Sequence, residues 1–464
     1  MVKLLLIRYE KIKGRKSDMN LKSLGIVIAL ILIMFMSAIE TSIVSLAMPT
    51  IKENLNVTTS ISLIFAVYFM AIVIANPIVG EMLDRTKIIY ITLFGLMLFM
   101  LGSLFSGLSN TFTMLVISRF VQGLGAGVMM ALSQIVPKLA FEIPFRYKIM
   151  GVVGSVWGIS SIIGPVLGGG ILEFATWHWL FFVNIPIVIL AVILVILTFH
   201  FEHEQTTTSK KLDVKGLTLF YCIVFSLIFA VMNKTHIYLN IFAILVVIVL
   251  SVFLVKYEQK LKTPFIPIEE FNKTIVLIFF TDFAYAIILM GYNLYMPIYL
   301  QENIGLSPLQ SGFVIFPISI AWLVLNFSLD KIEAKLSRKM LYISAFASLM
   351  LCGILVMLGT QSPLFIAFSL LLAGISFGTV YTKDSVITQE ETSPKNMKRM
   401  MSLYTLTKSL GNSIGATIMG YIYAITFTFT NLHIHNVIIG SIFILLLLMI
   451  LWFSAFKNKT KHSH

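Results

Sequence analysis

Charge is scarce in this chain. Asp, Glu, Lys and Arg make up 12% of its 464 residues, against about 25% in soluble domains. No stretch is polar enough to read as an aqueous domain; the longest are "HFEHEQTTTSKKLDVKG" and "VKYEQKLKTPFIPIEEFNK". Acid is scarcer than base, leaving a net charge of +13. That balance could suggest nucleic acid, but the placement of the charges described below argues against it. There are two cysteines, Cys222 and Cys352, each inside an apolar run. They make no disulfide framework and no metal cluster, and "HIH" near 433 and the terminal "KHSH" are too short to make a metal site. A G-x-x-x-x-G-K-[ST] loop is missing too, so nothing implies ATP.

Apolar runs of about 20 residues, the length that crosses a bilayer, recur from end to end. They parse into fourteen spans, 24–48, 60–80, 88–108, 111–136, 146–170, 178–200, 216–233, 237–255, 273–299, 308–328, 339–359, 363–388, 399–426 and 434–456. The termini and the loops after even-numbered spans, with the span ends that border them, hold 29 of the 34 Lys and Arg residues. The loops after odd-numbered spans hold Lys52 and Lys234, and Arg119, Lys383 and Lys408 lie within spans. Cytoplasmic loops carry the Lys/Arg excess, so both termini are expected in the cytoplasm. The basic balance is a topology signal. Fourteen divides as six, two and six: a basic cytoplasmic tail (1–22), a six-helix bundle (23–200), a linker with two extra helices (201–272), a second six-helix bundle (273–456) and a short tail (457–464). The basic tail lacks a cleavage site and is placed on the anionic inner face of the membrane. Sequence repetition between the two bundles is weak.

Against this background, two charges stand out. Glu40 interrupts the first span, in "FMSAIETSIVSLAMP", and Arg119 opens the core of the fourth, in "SRFVQGLGAG". A charge at the bilayer centre costs about 2.5–3.5 kcal/mol on insertion scales. Each lies roughly eight residues from the outer end of its span, or roughly 12 Å deep at 1.5 Å per residue. Opposite charges at one depth are natural partners. Gln122 and Gly123 follow Arg119; the glycines of this segment allow another backbone to approach. Span five, "GVVGSVWGISSIIGPVLGGG", carries a small-residue stripe through Ser160, Gly164 and Gly168, with Pro165 and Gly169 one position round. After span two comes "GEMLDRTK", with Gly80, Asp84 and Arg85; Gly permits a tight helix end, and Asp can accept from a neighbouring helix N-terminus.

Together these segments resemble the major facilitator superfamily, specifically its 14-helix drug:H+ antiporter family. "ETSIVSLAMP" resembles the family's acid–Thr…Ala-x-Pro pattern in helix one. Arg119 to Gly125 matches Arg-x-x-Gln-Gly-x-Gly. Ser160 to Gly169 matches the antiporter motif Gly-x-x-x-Gly-Pro-x-x-Gly-Gly, with Ser for the first Gly. "WHWLFFVNIP" (177–186), "LDVKG" (212–216) and "YLQENIGLSPLQSGFVIFP" (299–317) extend the likeness over essentially the whole chain. There are departures. Glu40 stands where the family commonly has Asp, His178 replaces a usual Arg, Lys408 sits where an Arg is common, and the loop after span two keeps one basic residue, Lys87, of the usual cluster. The resemblance implies an all-α fold of two six-helix bundles plus two inserted helices, Glu40 as a proton-coupling residue tuned by Arg119, and gating roles for the span-two, span-four and span-five motifs.

An intramembrane acid beside an Arg is a functional site by default. Burial favours a neutral acid and a nearby cation favours the carboxylate; opposed, they let a site load and unload a proton. Asp282, near the middle of span nine, is the second acid; it could bind a proton, face a cationic drug, or pair with Lys408 at similar depth in span thirteen. Lys383 and Asp384 are explained by snorkelling to the interface. Tyr68, Trp157, Tyr285, Tyr292 and Tyr295 are candidates to line a midplane cavity, where aromatic faces suit hydrophobic cations. The function expected is proton-coupled efflux of hydrophobic, cationic antimicrobial compounds by a monomer in a bacterial cytoplasmic membrane. It needs no cofactor beyond the proton gradient, and its partners are drugs, protons and lipid. A metabolite or amino-acid transporter of the same fold is the alternative. An enzyme would need a convergent catalytic set, and the spans hold no His cluster; a passive channel is the third class.

Overall fold

The structure, a computed structural model, describes residues 21–58, 60–83, 86–141, 145–201, 213–233, 236–261, 264, 266–333, 336–359, 362–393, 395–426 and 432–455. Among these, fourteen helices have fifteen or more residues: α1 (Leu21–Leu46), α2 (Leu63–Leu83), α3 (Ile88–Gly107), α4 (Phe112–Ala140), α5 (Phe145–Phe174), α6 (Asn184–Thr198), α7 (Val214–Met232), α8 (Ile237–Glu258), α9 (Lys273–Ile298), α10 (Pro308–Glu333), α11 (Arg338–Leu358), α12 (Pro363–Glu390), α13 (Met397–Ala424) and α14 (His433–Ala455). Eleven stretches among the described residues are long and apolar enough to cross a membrane, α6 counting as one only together with the short helix before it, Trp179–Thr198. The stretch containing α13, with Lys408 and many small polar residues, is not among them. Without water, a spanning segment must satisfy its backbone internally, which a helix does.

Local chemistry sets the ends. Thr111, Asp213, Asn272, Ser337 and Ser362 precede α4, α7, α9, α11 and α12, and each side chain accepts a bond from a first-turn N–H. The sixth span, expected as one helix over 178–200, is divided into a short helix, Trp179–Phe182, and α6. Pro186 explains the break, because it has no N–H to give to the Phe182 carbonyl. Asn184 thereby starts α6.

The helix contacts repeat. In the first six helices α1 packs on α4, α5 and α6, α4 on α2 and α3, and α3 on α6. Adding eight to each number gives the contacts of α9 to α14: α9 on α12, α13 and α14, α12 on α10 and α11, α11 on α14. The two sets meet through α2 with α13 and α5 with α10, pairings that exchange under the same rule. The pair α7 and α8 lies outside both sets. Phe220, Val224 and Ile228 of α7 join Val73 of α2 and Leu406 of α13 in one apolar cluster, and the Tyr221 hydroxyl donates to the Ile74 carbonyl at 2.8 Å. α8 exposes most of its apolar side chains, including Phe242, Leu245, Ile248 and Phe253.

Call the side where α1 starts the near side and the side where it ends the far side. The Lys22 ammonium, on the near side, donates to the His200 carbonyl beyond α6 at 2.9 Å. On the far side the two sets touch: the Gln301 amide donates to the Leu46 carbonyl at 2.9 Å and Lys52 pairs with Glu302 at 3.6 Å. Nearer the middle, the Ser413 hydroxyl donates to the Ala66 carbonyl at 2.8 Å.

Candidate functional site: two buried charge clusters

The first cluster lies in the far half of α1 to α6. Glu40 and Arg119 are both fully buried, and Arg119 Nη1 donates to Glu40 Oε1 at 2.5 Å. The same nitrogen donates to Gln122 Oε1 at 2.7 Å, and the Gln122 amide passes a bond to Ser103 Oγ at 2.9 Å. The other Glu40 oxygen accepts from Asn184 Nδ2 at 2.9 Å. The guanidinium lies 4.2 Å from the Tyr68 ring centroid, a cation–π stack. Arg119 Nη2 is buried without a hydrogen-bond partner. Burying two ions costs several kcal/mol each, recovered only with good geometry and further hydrogen bonds; Gln122, Asn184 and Ser103 supply those bonds. The pair expected from the sequence is thus a direct one. The sequence reading missed Asn184 and Ser103, although Asn184 stands inside the quoted "WHWLFFVNIP" segment.

Close helix approach holds the cluster. A Cβ on Gly123 would meet the Ala71 methyl at 2.8 Å, so α4 lies tight against α2. The span-five stripe faces two ways. A Cβ on Gly164 would stand 2.6 Å from Ser42 Cβ, and one on Gly168 3.0 Å from Ile43 Cα, both on α1. One position round, a Cβ on Gly169 would meet Leu309 Cα of α10 at 2.5 Å, while one on Gly312 would meet the Pro165 carbonyl at 2.7 Å. The stripe therefore seats α5 between the helix of Glu40 and the second set. Gly80 falls in the last turn of α2; Asp84 and Arg85 lie outside the described residues, as does the Trp157 side chain.

The second cluster lies in the near half of α9 to α14. Asp282 on α9 and Asp384 on α12 are fully buried. Asp384 Oδ1 accepts from the Tyr342 hydroxyl at 2.5 Å. The snorkelling read for Lys383 and Asp384 is corrected: they are 3% and 0% exposed. Snorkelling needs a long stem, which Asp lacks, and α12 continues past Asp384 to Glu390. The Asp282–Lys408 ion pair is corrected as well. The Lys408 ammonium makes no salt bridge to Asp282 within 4 Å and sits 3.7 Å over the Tyr381 ring, although its charge acts on both Asp282 and Asp384. The ring face offers the ammonium a neutral partner.

The tyrosines expected to line a cavity are core residues. Tyr68, Tyr285, Tyr292 and Tyr295 are at most 3% exposed. Tyr68 carries the Arg119 stack, Tyr285 shares a hydrogen bond with Ser376 at 2.9 Å, and Tyr295 stacks on Tyr423 at 4.5 Å. Aromatics pack well between apolar helices, and burial here leaves them no free face. Gly374 to Gly378 reads G-x-S-x-G, the spacing of a hydrolase nucleophile. Its Ser376 lies mid-helix, bonded to Tyr285, without the strand-to-helix elbow that chemistry requires. What both clusters can do chemically is hold and exchange protons or cations.

Comparison with known proteins agrees with this fold. The family description "Major Facilitator Superfamily" matches residues 30–416. The chain is 60% identical to "Multidrug efflux pump SdrM" of Staphylococcus aureus (strain N315), over 96% of this chain and 100% of that protein. It is 28% identical to "Multidrug transporter protein MdtP" of Bacillus subtilis (strain 168), over 88% of this chain and 76% of that protein. Among solved structures, the nucleoside transporter NupG aligns over 95% of this chain and 100% of its own, with a TM-score of 0.64 and 12% identity, a likeness of fold alone. The helical architecture, the matched family description and the near-full-length relatives agree: the chain belongs to the Major Facilitator Superfamily, within its multidrug efflux members, and is a transporter rather than an enzyme.

Proposed function

We propose that this protein exports hydrophobic, cationic antimicrobial compounds across a bacterial cytoplasmic membrane in exchange for protons. Drug efflux is supported by the 60% identity to a multidrug efflux pump over that protein's whole length. Proton coupling is supported by one observation above the others: the fully buried Glu40–Arg119 pair, with Asn184 on the second carboxylate oxygen. In this reading all fourteen long helices cross the membrane, α1–α6 and α9–α14 are two bundles that rock about a midplane site, and α7–α8 is an inserted pair. Both termini are cytoplasmic, the protein works as a monomer, and the proton gradient takes the place of a cofactor. The near side is then the inside, and in this reading the far-side contacts of Gln301 and Lys52 support a state closed toward the outside.

In everted vesicles holding this protein, an imposed inward-acid gradient is expected to drive ethidium accumulation, and a protonophore to abolish it within seconds. Accumulation that ignores both the gradient and the protonophore would remove proton coupling. Topology has its own test. Lys52 is exposed on the far side and Lys87 on the near side. In a Cys222→Ser background, Lys52→Cys is expected to react with an impermeant maleimide in intact cells and Lys87→Cys to react only after lysis. Protection of Lys52→Cys in intact cells would reverse the orientation.

A further inference from the structure

The two Glu40 oxygens meet different kinds of donor. Oε1 accepts from Arg119 Nη1, a cation that keeps its protons. Oε2 accepts from Asn184 Nδ2 at 2.9 Å, a neutral amide. A proton arriving at Glu40 therefore adds to Oε2, where the donor it meets carries no charge. That addition turns Oε2 into a donor, and it then faces the Asn184 NH2, which is a donor too.

The Asn184 amide carries the remedy at its other corner. Asn184 is fully buried at the start of α6, and its Oδ1 has no hydrogen-bond partner among the described residues. A half-turn of the amide exchanges NH2 and oxygen, which are nearly alike in shape. Oδ1 then accepts from the new O–H, and the bond between Asn184 and Glu40 runs the other way. The second contact of the amide permits the same reversal. Nδ2 also lies 3.4 Å from Ser103 Oγ, and a hydroxyl both donates and accepts. A side chain that only donates would hold the carboxylate, and one that only accepts would hold the acid. An amide locks neither state.

The neighbours of Glu40 frame this exchange. Arg119 brings the charge from α4, and Tyr68, on which the Glu40 charge acts, brings a titratable ring from α2. α3 brings Ser103, and α5 meets α1 through the Gly164–Gly168 stripe. On α9, Tyr292 packs on Phe377 of α12 and Tyr295 on Tyr423 of α13. α10 carries its charged residues in its last turn. We propose that Asn184 is a positioning residue that reads the protonation state of Glu40, donating to the carboxylate and, after a half-turn of its amide, accepting from the acid. This role rests on the proton-coupled reading of Glu40 and explains how one buried site serves both its loaded and its empty state. One proton is exchanged: it forms the Oε2–H bond on loading and returns to water on release, while Arg119 keeps its charge.

Infrared spectroscopy and transport together test the role. Difference spectra between high and low pH, taken on the purified full-length protein, are expected to show two bands with one pH midpoint: a carboxyl C=O band that Glu40→Gln removes and an asparagine amide band that Asn184→Ser removes. Asn184→Leu keeps the bulk of the side chain and loses both bonding directions, whereas the smaller Asn184→Ser keeps a hydroxyl that donates and accepts. Gradient-driven ethidium efflux is expected to fall about tenfold in Asn184→Leu, the scale of one lost hydrogen bond to a charged group, and to stay within about threefold of wild type in Asn184→Ser. The pH profile of the remaining efflux is expected to move by about one unit in Asn184→Leu, since a tenfold change in equilibrium is one pH unit. A packing role predicts the reverse order, because leucine fills the site and serine leaves a gap, so efflux lower in Asn184→Ser than in Asn184→Leu would overturn the inference. So would a Glu40 carboxyl band that titrates while the asparagine amide band stays still, a reading made on the wild type whatever the folding of the variants. Either result beside intact gradient-driven efflux in the wild type removes this role alone. Wild-type efflux that ignores the gradient removes the proton-coupled reading, and the paired bands still decide the role of Asn184.

Discussion

Arg119→Ala is expected to abolish uphill drug efflux and to destabilise the protein by about 3–5 kcal/mol, the scale of breaking one partner out of a buried ion pair. The cause is the carboxylate left behind. Glu40 is fully buried and would keep only its bond from Asn184. Gln122 would lose the donor that now ties it to the cluster at 2.7 Å. Arg119→Lys is expected to do less harm, because it keeps the charge. Lys offers a point charge in place of a planar fork, so it cannot copy the contacts to Glu40, Gln122 and the Ile64 carbonyl at 3.4 Å together. Thermal unfolding in detergent and ethidium efflux from cells at matched expression read the two effects. Equal efflux from Arg119→Ala and wild type would remove Arg119 from the transport cycle.

Gly164→Leu is expected to reduce transport below about one tenth of wild type, with the protein still inserted. Its first side-chain carbon alone would stand 2.6 Å from Ser42 Cβ. Overpacking of that kind typically costs 1–3 kcal/mol, and here α5 can relieve it only by moving away from α1. That movement would disturb the contacts through Pro165 and Gly169 to α10 at the same time. Gly170, six residues on, is the control: a Cβ there meets nothing within 4 Å. Gly170→Ala is expected to transport normally, since its methyl fills open space. Near-normal efflux from Gly164→Leu would show that the interface yields, and that tight α1–α5 packing is not required for the cycle.

The contrast between the clusters shows what the sequence could reveal. Glu40 and Arg119 were legible because charge inside an apolar helix is rare and their depths agree. Asn184 was not, because a neutral amide is cheap enough near a helix start to need no explanation there. Asp384 was misread by proximity to a span end: the sequence pattern stops at 388, whereas the helix runs to Glu390 and keeps the carboxylate inside. Aromatic residues carried no usable signal, since packing and cavity lining draw on the same side chains. The repeat of six helices is plain in the contacts and faint in the sequence. Lipid-immersed helix contacts ask only for small or apolar residues at the right spacing, so many sequences satisfy one arrangement. The Gly164 and Gly168 spacing was readable as close packing; that Gly169 and Pro165 face a different helix became visible only with α10 in place.

Drug-driven proton movement in proteoliposomes, wild type against Glu40→Gln, tests the central claim most directly. The glutamine keeps the shape of the side chain and removes its titration; its one amide oxygen can accept from Arg119, while its NH2, standing in place of Oε2, needs the Asn184 amide turned to present the Oδ1 that now has no hydrogen-bond partner. Wild-type vesicles are expected to move protons when drug is added, and Glu40→Gln vesicles to bind drug but move none above background. Proton flux coupled to uphill drug movement at the wild-type rate in Glu40→Gln would contradict the account, making the buried pair structural and moving the coupling to the Asp282 cluster.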